Sequence, residues 1–224
     1  MKVFKLFRLP VVLFALAPLV VPARAGGPPS IAELSAKVQA HYEKVTDLSA
    51  AFEQESTVLG SRKKRKAKGV VKFKKPGLMR WDYSEPVEQA FVSDGKKFYY
   101  YNAGEKFVAI KKLSQAFDSP TPNDFLQGLG RLEQSFVLSA PAEGTVDQDG
   151  RSRITLTPKE GGRESYSLTL ILEKDSAALW GVSFTDAMGS KTLVQFVGLK
   201  ENKGLPDSAF NFKTPPGVTE KREF

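Results

Sequence analysis

Residues 69–83 read Gly69-Val70-Val71-Lys72-Phe73-Lys74-Lys75-Pro76-Gly77-Leu78-Met79-Arg80-Trp81-Asp82-Tyr83. Two runs of period two meet here at a Pro76-Gly77 turn. In the first, Ala67, Gly69, Val71 and Phe73 share one face, with Lys66, Lys68, Lys72 and Lys74 on the other. In the second, Met79, Trp81 and Tyr83 alternate with Leu78, Arg80 and Asp82. Successive side chains of a strand point to opposite faces, so this pattern predicts a β-hairpin with one apolar side. The same alternation extends outward. Residues 89–93 and 96–102 flank Asp94-Gly95, a dipeptide favoured in type I′ hairpins. Residues 106–112 follow after a short Asn102-Ala103-Gly104 turn. Further runs at 135–139, 154–158, 166–173, 181–186, 192–198 and 210–213 are punctuated by Gly144, Asp149-Gly150, Gly161-Gly162, Asp175-Ser176 and Met188-Gly189. Short, regularly spaced strands predict a large, strongly curved antiparallel sheet or barrel, with sequential neighbours paired.

Two segments carry a helical period instead. Ser30 and Glu33 form a capping-box pattern, and Ile31, Leu34, Val38, Tyr42 and Val45 then recur on one face, predicting an amphipathic helix over 31–46. Between 119 and 132, Ser119-Pro120-Thr121-Pro122-Asn123-Asp124 reads as a loop, after which Phe125, Leu126, Leu129 and Leu132 fall at helical intervals. Gly128 and Gly130 weaken that helix by about 1 kcal/mol each relative to alanine. A short, weak, apolar helix between strands suits either a moving cover or a plain crossover connection.

The first residues belong to targeting rather than to the fold. Lys2, Lys5 and Arg8 precede an apolar run over 9–21, and Ala23-Arg24-Ala25 supplies small residues at a cleavage site. That run contains Pro10 and Pro18 and is shorter than the roughly 20 residues a membrane helix needs. The expectation is export to the periplasm, cleavage after Ala25, and one domain over 26–224. Lys2, Lys5, Arg8 and Arg24 supply half of the formal charge of +8, so the remaining chain is only mildly basic.

No cysteine occurs, which excludes disulfides, a thiol nucleophile, a thiolate metal site and a lipid-attachment cysteine. The exported protein is therefore expected free in solution. His41 is the single histidine, so a zinc site rich in nitrogen or sulfur cannot be assembled. Nucleophile-elbow, phosphate-loop and dinucleotide fingerprints are absent, and the carboxylates are scattered. No enzyme, metal or cofactor is expected. Residues 62–68 pack six cations into seven positions without an interleaved aromatic, which reads as a solvated hairpin tip rather than a nucleic-acid site. An anionic surface remains an alternative for that run. Trp81, Tyr83, Phe91, Phe98, Tyr99, Tyr100, Tyr101 and Phe107 crowd one stretch of the meander. They suit a filled core or an apolar concavity roofed by helices.

Lys74-Lys75-Pro76-Gly77-Leu78-Met79-Arg80-Trp81-Asp82-Tyr83, followed by Val92-Ser93-Asp94-Gly95-Lys96, closely resembles the LolA family of periplasmic outer-membrane lipoprotein carriers. The likeness continues through Tyr101-Asn102, Thr121-Pro122, Leu156-Thr157-Pro158-Lys159 and residues 210–218. It implies an incomplete, open antiparallel β-barrel whose apolar cavity is covered by a helical lid. The cavity would take acyl chains of lipoproteins from an inner-membrane ABC transporter, and a monomeric carrier would deliver them to an outer-membrane receptor. On this resemblance, the lipid-binding positions are Val71, Phe73, Met79, Trp81, Tyr83, Phe91, Phe98 and Tyr100 on the strands. Phe125, Leu126 and Leu129 would form the underside of the lid. The family's lid-locking arginine matches Lys75 here; lysine lacks the planar fork of arginine, leaving the closing bond weaker, relocated or absent. A related half-barrel module that binds another lipid, or senses lipoproteins, is the alternative reading.

Overall fold

The computed structural model describes residues 27–60, 63–116, 131–159, 167–186 and 188–223. The expected targeting segment, Arg62 and all but the end of the 119–132 helix lie outside them. Helix α1 spans Ile31–Lys44, and its capping box forms as the sequence predicts. Ser30 Oγ accepts the Glu33 N–H, while Glu33 accepts the Ser30 N–H at 2.8 Å. The helix ends at Val45, slightly before the predicted boundary, as the chain turns extended to enter the first strand.

The strands are β1 (Asp47–Thr57), β2 (Lys64–Lys74), β3 (Leu78–Glu85), β4 (Gln89–Asp94), β5 (Lys97–Asn102), β6 (Phe107–Lys112), β7 (Phe136–Ser139), β8 (Ser152–Pro158), β9 (Ser167–Leu172), β10 (Leu179–Thr185), β11 (Lys191–Glu201) and β12 (Thr219–Glu223). A single helical turn, α2 (Leu132–Ser135), precedes β7. All the strands join one sheet in the order β12-β6-β5-β4-β3-β2-β1-β11-β10-β9-β8-β7. The sheet is open, with β12 and β7 as its two edges.

The sheet curls, and α1 shows by how much. Seven strands from β2 to β7 span about 29 Å if laid flat, whereas a helix is only about 10 Å across. Even so, α1 touches both ends of that span. The Lys75 ammonium between β2 and β3 donates to the Tyr42 carbonyl, and α1 also packs on β7 and β8. Leu34, Val38 and Tyr42 of α1 join Leu48, Ala50 and Phe52 of β1, Val71 and Phe73 of β2, Met79 of β3 and Leu168, Leu170 and Leu172 of β9 in one buried cluster. The inner face is therefore wrapped around the helix.

Four expectations are corrected. Residues 210–213 do not form a strand. After β11 the chain crosses the outer face of the sheet, held by side chains rather than by a backbone ladder. Lys74 Nζ donates to Leu205 O at 2.7 Å, Arg80 donates to Asn211 O at 3.1 Å, and Phe212 stacks on Tyr99 and Tyr101. Alternating Phe210 and Phe212 looks like a strand because any extended segment lying on a surface has that period. The chain then adds β12 to β6 in parallel, an exception to the expected antiparallel pairing. The turn after β4 is not type I′, since that turn needs two central residues at positive φ. Of its residues only Gly95 is at positive φ, and the Asp94 carboxylate accepts the N–H groups of Lys96 and Lys97 at 2.9 and 2.7 Å. Finally, the basic run is not confined to the hairpin tip: Lys63 lies in the β1–β2 loop, but the run continues down the strand. Lys64, Arg65, Lys66 and Lys68 belong to β2, where Lys64 pairs with Glu55 and Lys68 with Glu85.

Gly69 marks the closest backbone approach in the sheet. It lies in register between Phe52 of β1 and Tyr83 of β3, beside a bulge. Without a side chain at Gly69, those two rings meet across β2 at 4.8 Å. A Cβ there would lie 1.9 Å from Asp82 O and 2.8 Å from the Phe52 ring. Glycine-to-alanine changes in open strands stabilise by cutting unfolded-state entropy. Gly69→Ala should instead destabilise by about 1–3 kcal/mol through overpacking, as read from urea unfolding midpoints.

Candidate functional site: an aromatic inner face

The inner face of β3, β4 and β5 carries the alternate residues Met79, Trp81, Tyr83, Phe91, Phe98 and Tyr100. Register explains the alignment: Trp81 faces Phe91, and Phe91 faces Tyr100. The rings touch in sequence across six strands. Phe196 of β11 meets Trp81 at 6.2 Å, and Trp81 meets Phe52 at 5.0 Å and Phe73 at 6.0 Å. Tyr83 then meets Phe91 at 5.8 Å, and Phe91 meets Phe98 at 6.4 Å and Tyr100 at 4.9 Å. Edge-on and offset pairs at such separations add roughly 0.5–1.5 kcal/mol each beyond burial.

Burial divides the residues singled out from the sequence into two groups. Val71, Phe73 and Met79 are at most 2% exposed and form core against α1. Trp81, Tyr83, Phe91, Phe98 and Tyr100 are only half-buried, so a continuous aromatic surface remains partly open beyond the helix. Tyr99 and Tyr101 point the other way, onto Phe212. Phe52 and Phe196 were not singled out from the sequence. Ala50-Phe52 and Val194-Phe196 do alternate in β1 and β11; β1 directly precedes β2, but nothing in the chain order brings β11 next to β1.

Two hydroxyls of this array are hydrogen-bonded: Tyr83 donates to Gln54 Oε1 at 3.0 Å, with its pKa raised by burial, and Tyr100 accepts from Asn102 Nδ2 at 3.2 Å. Tyr42 is sealed under the sheet, with its hydroxyl accepting the Leu179 N–H at 3.0 Å and its pKa pushed up by burial. His41 meets Glu201 at 3.0 Å, a contact between helix and strand. Among the described residues no group of three His, Cys, Asp or Glu could hold a metal, and no helix is long and apolar enough to cross a membrane. A cavity of about 1000 Å³ lies mainly on the outer face, between the sheet and residues 208–215. Its lining mixes Lys68, Arg80, Asp82 and Glu88 with Val70 and Ala90, so it is a poorer match to acyl chains than the aromatic face.

Strand β6 lies beside edge strand β12, and α2 immediately precedes the other edge strand, β7. α2 is anchored to α1, with Ser35 Oγ donating to Glu133 at 2.8 Å and the Leu132 N–H donating to Gln39 at 3.4 Å. Phe125, Leu126 and Leu129 lie outside the described residues. Lys75 is bonded to α1 at the Tyr42 carbonyl, where a cation also meets the negative end of the helix dipole. Burial lowers the pKa of its ammonium group, and the charge of Glu43 acts in the opposite sense.

Lys75→Met should therefore loosen the end of α1 without emptying the core. A loss of about 1.5 kcal/mol is expected for a half-exposed charged hydrogen bond. Hydrogen exchange should report it as faster exchange at the Val45 amide, which itself bonds to the Tyr42 carbonyl.

The family model described as outer membrane lipoprotein carrier protein LolA matches residues 43–213. An outer-membrane lipoprotein carrier protein of Methylococcus capsulatus is 32% identical over 205 residues, covering 89% of this chain and 94% of that one. A protein of the same name from Chromohalobacter salexigens is 30% identical over 207 residues, covering 92% and 91%. Among solved structures, a LolA superfamily protein from Nitrosomonas europaea aligns with a TM-score of 0.48 at 10% identity, covering 82% of this chain and 98% of that one. This chain belongs to the LolA family of outer-membrane lipoprotein carrier proteins.

Proposed function

We propose that this protein carries lipoproteins through the periplasm, holding their acyl chains against the inner face of the open sheet. The observation that carries this reading is the half-buried aromatic array of Trp81, Tyr83, Phe91, Phe98 and Tyr100, next to a core already filled under α1. Folding alone gains most from burying such rings completely. A surface left half open by the sheet's curvature suits a guest that is itself apolar.

In this role Val71, Phe73 and Met79 form the floor that α1 covers, and the five half-buried rings meet the chain first. Phe125, Leu126 and Leu129 supply the cover, consistent with a segment that starts beside one sheet edge and ends beside the other. Lys75 acts as a latch on α1. The secreted form, freed of its leader near Ala25, works as a monomer. It is loaded by an inner-membrane ABC transporter and emptied by an outer-membrane receptor. The work is binding and release, with no reaction to catalyse and no metal or cofactor to hold.

Magnitudes favour such a carrier. Each buried methylene is worth about 0.8 kcal/mol, so a sixteen-carbon chain in water costs about 12 kcal/mol. The inner face offsets much of that cost. Opening the closed form subtracts from the net affinity, which keeps release possible.

The purified protein should keep a triacylated lipoprotein soluble without detergent, in a one-to-one complex detected by size exclusion. Trp81→Glu should lose that ability while retaining its circular dichroism spectrum, because Trp81 is half-buried and not at the centre of the core. Undiminished solubilisation by a folded Trp81→Glu variant would overturn the assignment of the array.

A further inference from the structure

The cations near the start of β2 are not accounted for by carriage of acyl chains, and they stand beside an exposed apolar tip. Thr57 of β1 pairs with Lys64 of β2 and with Lys191 of β11, and Lys191 pairs with Thr185 of β10. The β1–β2 and β10–β11 loops therefore emerge side by side at one end of the sheet. Leu59 of the first loop rests on the second, with its Cδ2 3.3 Å from where a Cβ of Gly189 would lie. Met188 adjoins it. Among the described residues these are the two most exposed large hydrophobic side chains, at 80% for Met188 and 72% for Leu59. Val58 continues the patch.

The backbone presenting Met188 is held in place. The Asp186 carboxylate accepts the N–H groups of Met188 and Ser190, both at 2.9 Å, and Gly189 closes the turn at a φ of 82°. Lys63, Lys64, Arg65, Lys66 and Lys191 are exposed around the tip. Among the described residues of these two loops and the strand ends that flank them, the carboxylates are Glu55, paired with Lys64 at 2.6 Å, and Asp186, engaged in its turn. The tip thus has a clear cationic excess around an apolar point.

We propose that this end of the sheet is a docking tip for an anionic phospholipid surface. Leu59, Met188 and Val58 enter the acyl boundary, while the surrounding ammonium and guanidinium groups meet lipid phosphates. Lysine and arginine suit that ring because their stems follow the apolar side chains inward while their charges stay at the headgroups. An acidic protein would need a pocket shaped to Leu59 and Met188, whereas an acyl boundary takes such side chains in any arrangement, so the membrane is the better match. The tip lies apart from the aromatic array, and docking requires no cargo.

The test uses the cargo-free protein and vesicles of phosphatidylcholine with or without phosphatidylglycerol. Co-sedimentation should occur with the anionic vesicles and weaken as salt is raised. The double variant Leu59→Ser, Met188→Ser, which removes the apolar groups without changing the charge, should bind at least about tenfold more weakly. Its solubilisation of acylated lipoprotein should be unchanged, which separates failure of docking from failure of the carrier reading. The chain contains no cysteine, so a polarity-sensitive dye on Leu59→Cys reports a single site. It should shift to the blue on anionic vesicles, whereas the same dye on Val137→Cys, exposed on edge strand β7, should not. No binding to anionic vesicles, or equal binding by the double variant, would overturn the proposal. Purely ionic attachment, the signature of an acidic partner, would leave the double variant's binding intact and so count against it.

Discussion

A twelve-stranded sheet with an apolar inner face must curl around something, and here it curls around α1. Contacts from one helix reach the β2–β3 turn through Lys75, β10 through Leu179, and the β7 edge by packing. No flat sheet could provide all three. The position of the aromatic rings, the exposed mouth and the arrangement of the edges all follow from that wrapping. Because the helix fills only part of the concavity, the sealed core and the half-buried aromatic rings are two regions of one face, separated by where α1 ends.

The two faces are closed by different means. The outer side of β3–β6 is covered by the segment after β11, which buries Phe210 completely and packs Phe212 and Val218 against the second apolar cluster. That cover is tied by Lys74 and Arg80, both on strands. The inner side beyond α1 has no equivalent among the described residues.

Much of this was legible from residue order. The capping box at Ser30 and Glu33, the 3.6-residue period of α1 and the two-residue period around Pro76-Gly77 each depend on neighbours in the chain. Those neighbours set the local geometry directly. The common face of Met79, Trp81 and Tyr83 was legible for the same reason. The outer-face segment was misread because Phe210 and Phe212 alternate in any extended chain, whether or not its backbone pairs with a strand. The turn after β4 was misread because the Asp94 carboxylate takes the place of the backbone geometry that Asp94-Gly95 suggests. Similarly, the basic run was placed wholly at a tip because its charge conceals its register with β1, where Glu55 neutralises Lys64.

By itself the sequence determined most of the strands and helix α1, which side of each is apolar, and the family to which their order corresponds. These are short-range properties, set by side-chain period and capping within a few residues. Only the tertiary structure decided that Val71, Phe73 and Met79 are sealed while Trp81, Phe91 and Tyr100 stay partly open, and that Phe52 and Phe196 complete their array. It also decided that Lys75 grips α1, and that Leu59 meets the loop of Met188. Each of these depends on β1 pairing with β11 across more than a hundred residues and on how far the sheet bends around one helix. Local periodicity encodes neither distance.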